Sequence, residues 1–288
     1  MQSGDDSAVY QACLATLRDT DFDRYLACLL MPEPQRGAVA ALYAFNAELA
    51  RIRDAVREPV AGEIRLQWWR EVIEGDRARE AAASPLAAGL MRAADAFRLP
   101  RAPLLAMTEA RVFDLYDDPM QDVAMFEGYA GETASALIQL SAMVLDQDQA
   151  LAAAEAAGHA GIAQLVAGCL LLLPLHRSRH QVFIPGDILA ATGLDAATFL
   201  AAGATPQSAQ AILAFAGYGR DHLARARRAE AASGISGAAR LAFLPVALAE
   251  TVFARAEKAG AAALEQSLRP SQLRRQWQLW RAARRGRF

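Results

Sequence analysis

The first residues able to do chemistry are Glu48 and Asp54, inside the block Leu42-Tyr43-Ala44-Phe45-Asn46-Ala47-Glu48-Leu49-Ala50-Arg51-Ile52-Arg53-Asp54. Six positions apart on a helix, two carboxylates point about 240° apart. They do not converge on one ligand, so ion pairing with Arg51, Arg53 or Arg65 along a cavity or surface is the expected role. A residual ligand role is the sharper alternative. His176 and His180 stand four apart, a spacing that zinc sites use on helices. Pro174 and Phe183-Ile184-Pro185 flank them, and no third ligand is near. The segment therefore reads as a basic loop with Arg177 and Arg179, either solvated or touching a phosphate or partner. Cys13, Cys28 and Cys169 are an odd number at wide spacing, with neither a zinc pattern nor a disulfide framework. Their use fits a reducing compartment, and Cys169, among leucines, reads as an inert core thiol. The chain carries no Gly-rich phosphate loop, GxSxG or CxxC pair.

The elements that must position these residues are helices. Of 288 residues 67 are Ala, and Leu is plentiful, which favours helix over strand. Apolar spacing predicts helices over 8–30 (interrupted at Asp21–Asp23), 35–56, 63–74, 84–99, 101–116, 125–145 and 147–175. Further helices follow over 186–192, 195–201, 206–232, 241–259 and 272–284. The pattern breaks from His176 to Pro185, where Val182-Phe183-Ile184 is the one plausible extended stretch. The most apolar run, Ile162 to Leu175, contains Gln164 and reads as a buried core helix too short to span a bilayer. No linker or fixed-period repeat is visible, so residues 1–288 are expected to form one all-α domain.

Four blocks occur in order: Arg24-Tyr25 through the Ala44-Phe45-Asn46-Ala47-Glu48 region; Arg65-Leu66-Gln67-Trp68-Trp69; Tyr129-Ala130-Gly131-Glu132-Thr133; and Gly161-Ile162-Ala163 followed by Arg179-His180-Gln181-Val182-Phe183-Ile184-Pro185. Together, over roughly 20–260, they resemble the squalene/phytoene synthase family. The resemblance implies an all-α isoprenoid-synthase fold with a central cavity, in which Asp-rich motifs on facing helices hold magnesium ions against a prenyl diphosphate. Magnesium requires several hard oxygen ligands and neutralises charge on the leaving group. Matched on Ala44-Phe45-Asn46, the family's first acids fall on Ala50, Arg51 and Asp54; the second pair falls near Leu172 and His176. Residues 160–186 contain no Asp or Glu at all.

The expected function is therefore a non-catalytic branch of the family, resembling members that act in respiratory complex I assembly, with no cofactor and no catalytic residue. The alternative is a prenyl-diphosphate transferase using atypical acids, which alone would need Mg²⁺. The candidate cavity or partner-binding residues are Arg24, Tyr25, Phe45, Asn46, Glu48, Arg51, Asp54, Arg65, Trp69, Tyr129, His176 and Arg179. Of Trp68 and Trp69, at least one is expected in the core. A protein partner is expected, with a lipid or isoprenoid in the cavity as a further option.

Charge placement adds a second feature. The net charge of −2 argues against nucleic acid as a partner. It conceals an asymmetry: 269–288 holds seven Arg and no acid, leaving 23 basic against 32 acidic residues elsewhere. Within this tail Arg274, Arg275, Trp277, Trp280, Arg281 and Arg284 make a short aromatic and cationic helix, of the kind found at membrane surfaces. Either it folds back with its tryptophans packed, or it offers a membrane- or partner-docking surface. The early acids and lack of an apolar leader fit a cytoplasmic protein, peripheral on the inner face of the membrane if the tail docks there.

Overall fold

The computed structural model describes residues 2–33 and 35–288, with side chains from Ser7 onward. Among the described residues there are seventeen α-helices and no strand: α1 (Gln2–Thr20), α2 (Phe22–Leu29), α3 (Gln35–Ala55), α4 (Pro59–Glu74), α5 (Ala78–Ala83), α6 (Pro85–Ala96), α7 (Arg101–Ala110), α8 (Val123–Ala130), α9 (Ala136–Leu145), α10 (Gln147–Ala150), α11 (Ala154–Leu171), α12 (Leu173–Ser178), α13 (Gly186–Ala190), α14 (Ala196–Ala202), α15 (Pro206–Ser233), α16 (Ala249–Ala259) and α17 (Gln272–Arg285). A π-helical turn (Gly131–Ser135) and 3-10 segments at Phe113–Leu115, Gly237–Leu248 and Gly260–Leu264 complete the fold.

Local chemistry sets most boundaries. Asp21 ends the first helical run and caps the next, its carboxylate accepting from the Arg24 amide. Pro59 opens α4, where its missing N–H is no loss, and Gly75 closes it in the left-handed conformation. Thr205 and Ser208 form a capping box at the start of α15, which runs to a left-handed Gly234.

Packing is built on two central helices. Nearly every residue of α3 from Gly37 to Leu49 is buried, because α1 and α6 cover one side and α9 another. α11 lies along α15, and α16 closes against both. Small residues make the close approaches possible. A Cβ at Gly161 of α11 would fall 2.4 Å from the backbone nitrogen of Ser135 in the π turn, so α11 crosses that turn backbone to backbone. The Ser135 hydroxyl donates to the Gly158 carbonyl at 3.0 Å across the same crossing.

Two stretches, 154–171 and 237–264, are long and apolar enough by length and composition to cross a membrane, yet 56% of the 18-residue apolar window in each is buried within the fold. The apolar run expected over Ile162–Leu175 is core along α11, but that helix begins earlier, at Ala154, and ends at Leu171, and Leu172 and Leu175 beyond it are exposed. Three expectations need correction. His176 and Arg177 lie on the short helix α12, not in a loop, because Pro174 sits in its first turn, where proline is tolerated. Val182-Phe183-Ile184 is not a strand; it makes a single backbone bond, Met120 N–H to the Val182 carbonyl at 3.1 Å. The segment from 241 is 3-10 rather than α up to Leu248, with Pro245 inside it.

Candidate functional site

A cavity of about 430 Å³ opens between α3, the start of α2, the turn after α7, the π turn, α11 and α12. α3 contributes Asn46, Ala50, Arg51, Arg53 and Asp54; α11 and α12 contribute Cys169 and His176, with Arg179 just beyond. The larger hollow, about 700 Å³, is an open groove lined by Val60, Ile64, Trp68 and Glu109, away from these residues. Its acids are already partnered, Glu109 by Arg70 and Glu71 by Arg77.

The cavity floor is a polar knot around Arg111. Its guanidinium donates to Asp114 Oδ2 at 2.9 Å, to the Tyr129 hydroxyl at 2.8 Å and to Asn46 Oδ1 at 3.2 Å. The Tyr129 hydroxyl in turn donates to Asp114 Oδ1 at 2.7 Å, and Gln181 Nε2 donates to the Asp114 carbonyl at 3.3 Å. Burial pushes the Tyr129 phenol well above its usual range, so it stays a donor. Tyr129 and Thr133, four apart and so on one face, both reach this wall, and the Thr133 hydroxyl donates to the Tyr129 carbonyl at 2.6 Å.

At the rim, Asp54 Oδ1 lies 2.6 Å from Arg179 Nη1. Asp21 Oδ2 lies 2.5 Å from Arg24 Nη1. Burial works against the Asp21 carboxylate, but the Arg24 charge and its hydrogen bonds hold it below the usual carboxylate range. His176 packs tilted against Phe183, ring centres 4.6 Å apart. Burial, then repulsion from Arg179, lowers its pKa to about 4, so it is neutral at pH 7. Burial raises the Cys169 thiol, which leaves it unreactive at the edge of the cavity.

Seven of the candidate residues meet in this cavity: Arg24, Asn46, Arg51, Asp54, Tyr129, His176 and Arg179. The other five do not line it. Tyr25 packs beside Phe22. Phe45 is wholly buried against Trp69, ring centres 5.0 Å apart. Glu48 is half-buried and Arg65 exposed. Trp69 is the core tryptophan of its pair, while Trp68 is half-buried and donates to Glu80 at 2.9 Å. The partner of Asp54 is Arg179, not the neighbouring arginines on its own helix. Sequence reasoning missed Arg111, Asp114, Asp21 and Gln181; Arg111 and Asp114, three apart around a helix end, were the available signal.

The tail helix α17 folds back on the body, but without its tryptophans packed as the first expectation had it. Arg275 pairs with Asp23, Gln278 bonds Thr251, and Leu279 and Ala282 are buried, while Trp277 and Trp280 stay exposed.

The positions that the resemblance assigns to metal-binding acids, Ala50, Arg51, Asp54, Leu172 and His176, all line the one cavity, and residues 17–281 match the family model for squalene/phytoene synthase. The chain belongs to the squalene/phytoene synthase family. A dehydrosqualene synthase crystal structure shares its fold at a TM-score of 0.79 and 16% identity, over 98% of this chain and 97% of that one. Squalene synthase HpnC from Alicyclobacillus acidocaldarius does so at 0.73 and 18%, over 89% and 95%. By sequence, complex I assembly factor 6 of Homo sapiens is 34% identical over 215 residues, 75% of this chain and 64% of that protein. The Rattus norvegicus protein is 36% identical over 195 residues, 68% and 58% of the two chains. This chain thus spans less than two thirds of either relative.

Magnesium, which the family frame implies, does not fit the residues present. The three cavity carboxylates, Asp21, Asp54 and Asp114, are each bonded to an arginine. Arg24, Arg51, Arg53, Arg111 and Arg179 outnumber them on the wall, and Arg51 stands at a position where the frame would place a ligand. Among the described residues no group of three or more His, Cys, Asp or Glu could hold a metal ion. A net cationic wall repels a divalent cation and favours an anion.

Proposed function

We propose that this chain is a non-catalytic family member that works in respiratory complex I assembly by binding a protein partner. One observation carries the loss of catalysis: of five positions that frame the family's metal-binding acids, only Asp54 is acidic, and it is neutralised by Arg179 at 2.6 Å. Diphosphate departure needs metal charge to offset the developing anion, and this wall has arginines instead of ligands for such a metal. The assembly role draws its support from the relatives named complex I assembly factor 6. It is tested by deleting the coding sequence and measuring fully assembled, NADH-oxidising complex I on native gels. The expected result is a loss of assembled complex restored by the wild-type chain. Normal complex in the deletion strain would overturn the reading.

A second reading, capture of a lipid or isoprenoid, rests on an adjoining chamber of about 300 Å³. It shares Asp21, Arg24 and Gly168 with the cavity and is lined by Phe22, Leu171, Leu248 and Val252. The chamber itself balances Arg24 and Arg269 with Asp21 and Asp23, but it adjoins the arginine-rich cavity, and an apolar chamber beside such a cavity suits an anionic amphiphile. Lipid co-purifying with native protein, and lost when Leu248→Arg fills the chamber, supports this reading; lipid-free protein that also binds none on incubation rejects it.

A further inference from the structure

The unassigned feature with the clearest chemistry is the outward face of α17. At 100° per residue, Leu273, Trp277, Trp280 and Arg284 fall within one sector of about 60°. Arg275, Gln278, Leu279 and Ala282, the residues that hold the helix to the body, occupy the opposite side. The helix is therefore already docked, and its second face is left in water. That face is unusually apolar for a solvent-facing surface: Leu273 is 78% exposed, Trp277 53% and Trp280 47%. It is flanked by Arg274, Arg281, Arg284 and Arg285, all exposed and without an ion pair among the described residues. Arg281 lies over the Trp277 ring at 4.9 Å, and Arg284 over Trp280 at 4.9 Å.

We infer that this face docks the protein on an anionic bilayer surface. Indole rings settle at the level of lipid headgroups, where an apolar body and a polar N–H are both accommodated. A guanidinium stacked on each ring then sits at the height of the lipid phosphates, which it binds in a forked geometry. A nucleic-acid backbone would use the arginines but leave Leu273 and both tryptophans in water. The seven-arginine segment from 269 to 288 has no acid of its own to repel such a surface. Seated on the body through Arg275 and Leu279, the helix is already formed before it meets a bilayer, which lowers the ordering entropy that binding costs. The inference stands independently of the assembly reading, since it needs only this surface and a bilayer.

The test is flotation of the purified full chain with two vesicle types, pure phosphatidylcholine and phosphatidylcholine mixed with phosphatidylglycerol. Binding is expected to the mixed vesicles only, weakening as salt is raised. Tryptophan emission should shift to the blue on binding, and this shift should vanish in W277F/W280F, leaving Trp68 and Trp69 silent. Each arginine near an anionic surface contributes about fivefold, so R281Q/R284Q should bind roughly 25-fold more weakly. Leu273→Ser should also weaken binding. These side chains are exposed, so the thermal midpoint of each variant should match wild type, which separates lost docking from lost folding. Failure of the wild-type chain to float with anionic vesicles overturns the inference. So does flotation that R281Q/R284Q and W277F/W280F leave unchanged. If vesicles fail but the same substitutions abolish co-purification with a protein, the face belongs to that protein and the bilayer assignment is wrong.

Discussion

Arg111 shows why this cavity is better described as a closed electrostatic unit than as a vacant active site. Its side chain and that of Asp114 are each only 14% exposed, and one guanidinium bonds Asp114, Tyr129 and Asn46 together. Breaking a buried pair strands the remaining charge, which typically costs about 3 kcal/mol or more. R111M should therefore lose about 3 kcal/mol in urea unfolding, and R111M/D114N should recover part of it by removing the stranded carboxylate. An unchanged midpoint in R111M would contradict this role. His176 gives a pH signature. Its folded pKa, about 4, lies below its ordinary 6.5 because burial and Arg179 disfavour the cation. Above pH 6.5 both states are neutral and stability is level. As pH falls from about 6.5 toward 4 the unfolded chain takes up the proton first, so stability drops by up to about 1.4 kcal/mol per pH unit. His222, lowered by burial and by His159, adds in the same direction. H176Q should flatten the drop in chemical-denaturation curves taken across that window. At this scale the sequence revealed Asn46, Asp54, Tyr129 and Arg179, which lie in blocks with family spacing. Arg111 and Asp114 were hidden, because only the folded turn after α7 brings them under Tyr129.

Element boundaries follow from caps and prolines where those residues act in their commonest way. Asp21, Gly75 and Thr205 do so, and the helix ends they mark were legible, whereas Pro59 opens α4 four residues before the expected start at Glu63. Pro174 and Pro245 do not: one sits in the first turn of a short helix, the other inside a 3-10 run. A proline carries the same local signal whether it ends a helix or begins one, so its neighbours in sequence do not decide which it does. Glycine offers a sharper contrast on a single element. Gly161 and Gly168 are two turns apart on α11, yet a Cβ at Gly161 would strike the Ser135 backbone, while one at Gly168 meets nothing within 4 Å. Gly161→Ala should destabilise by about 2 kcal/mol through overpacking. Gly168→Ala should stabilise by up to about 1 kcal/mol through helix propensity. Equal effects of the two substitutions on the denaturation midpoint would mean that α11 does not cross the π turn as described.

For the whole molecule, the net charge of −2 is the sum of an acidic body and a basic tail that docks by one face and leaves the other free. The segregation was legible from composition along the chain; which way the tryptophans point was not, because that depends on Asp23 and Thr251 more than twenty residues away in sequence. The same holds for the cavity. That residues 160–186 lack acids could be read directly, but only the fold brings Leu172 and His176 to the same cavity as Ala50 and Arg51. A family frame is thus retained while its metal-binding carboxylates are replaced, and fold alone does not carry function. The most direct test is an assay of the purified full chain with a labelled prenyl diphosphate, with and without Mg²⁺, beside an active synthase of the family. The account predicts no condensation product and no magnesium-dependent release of diphosphate. A Mg²⁺-dependent product that disappears in Asp54→Asn would contradict it.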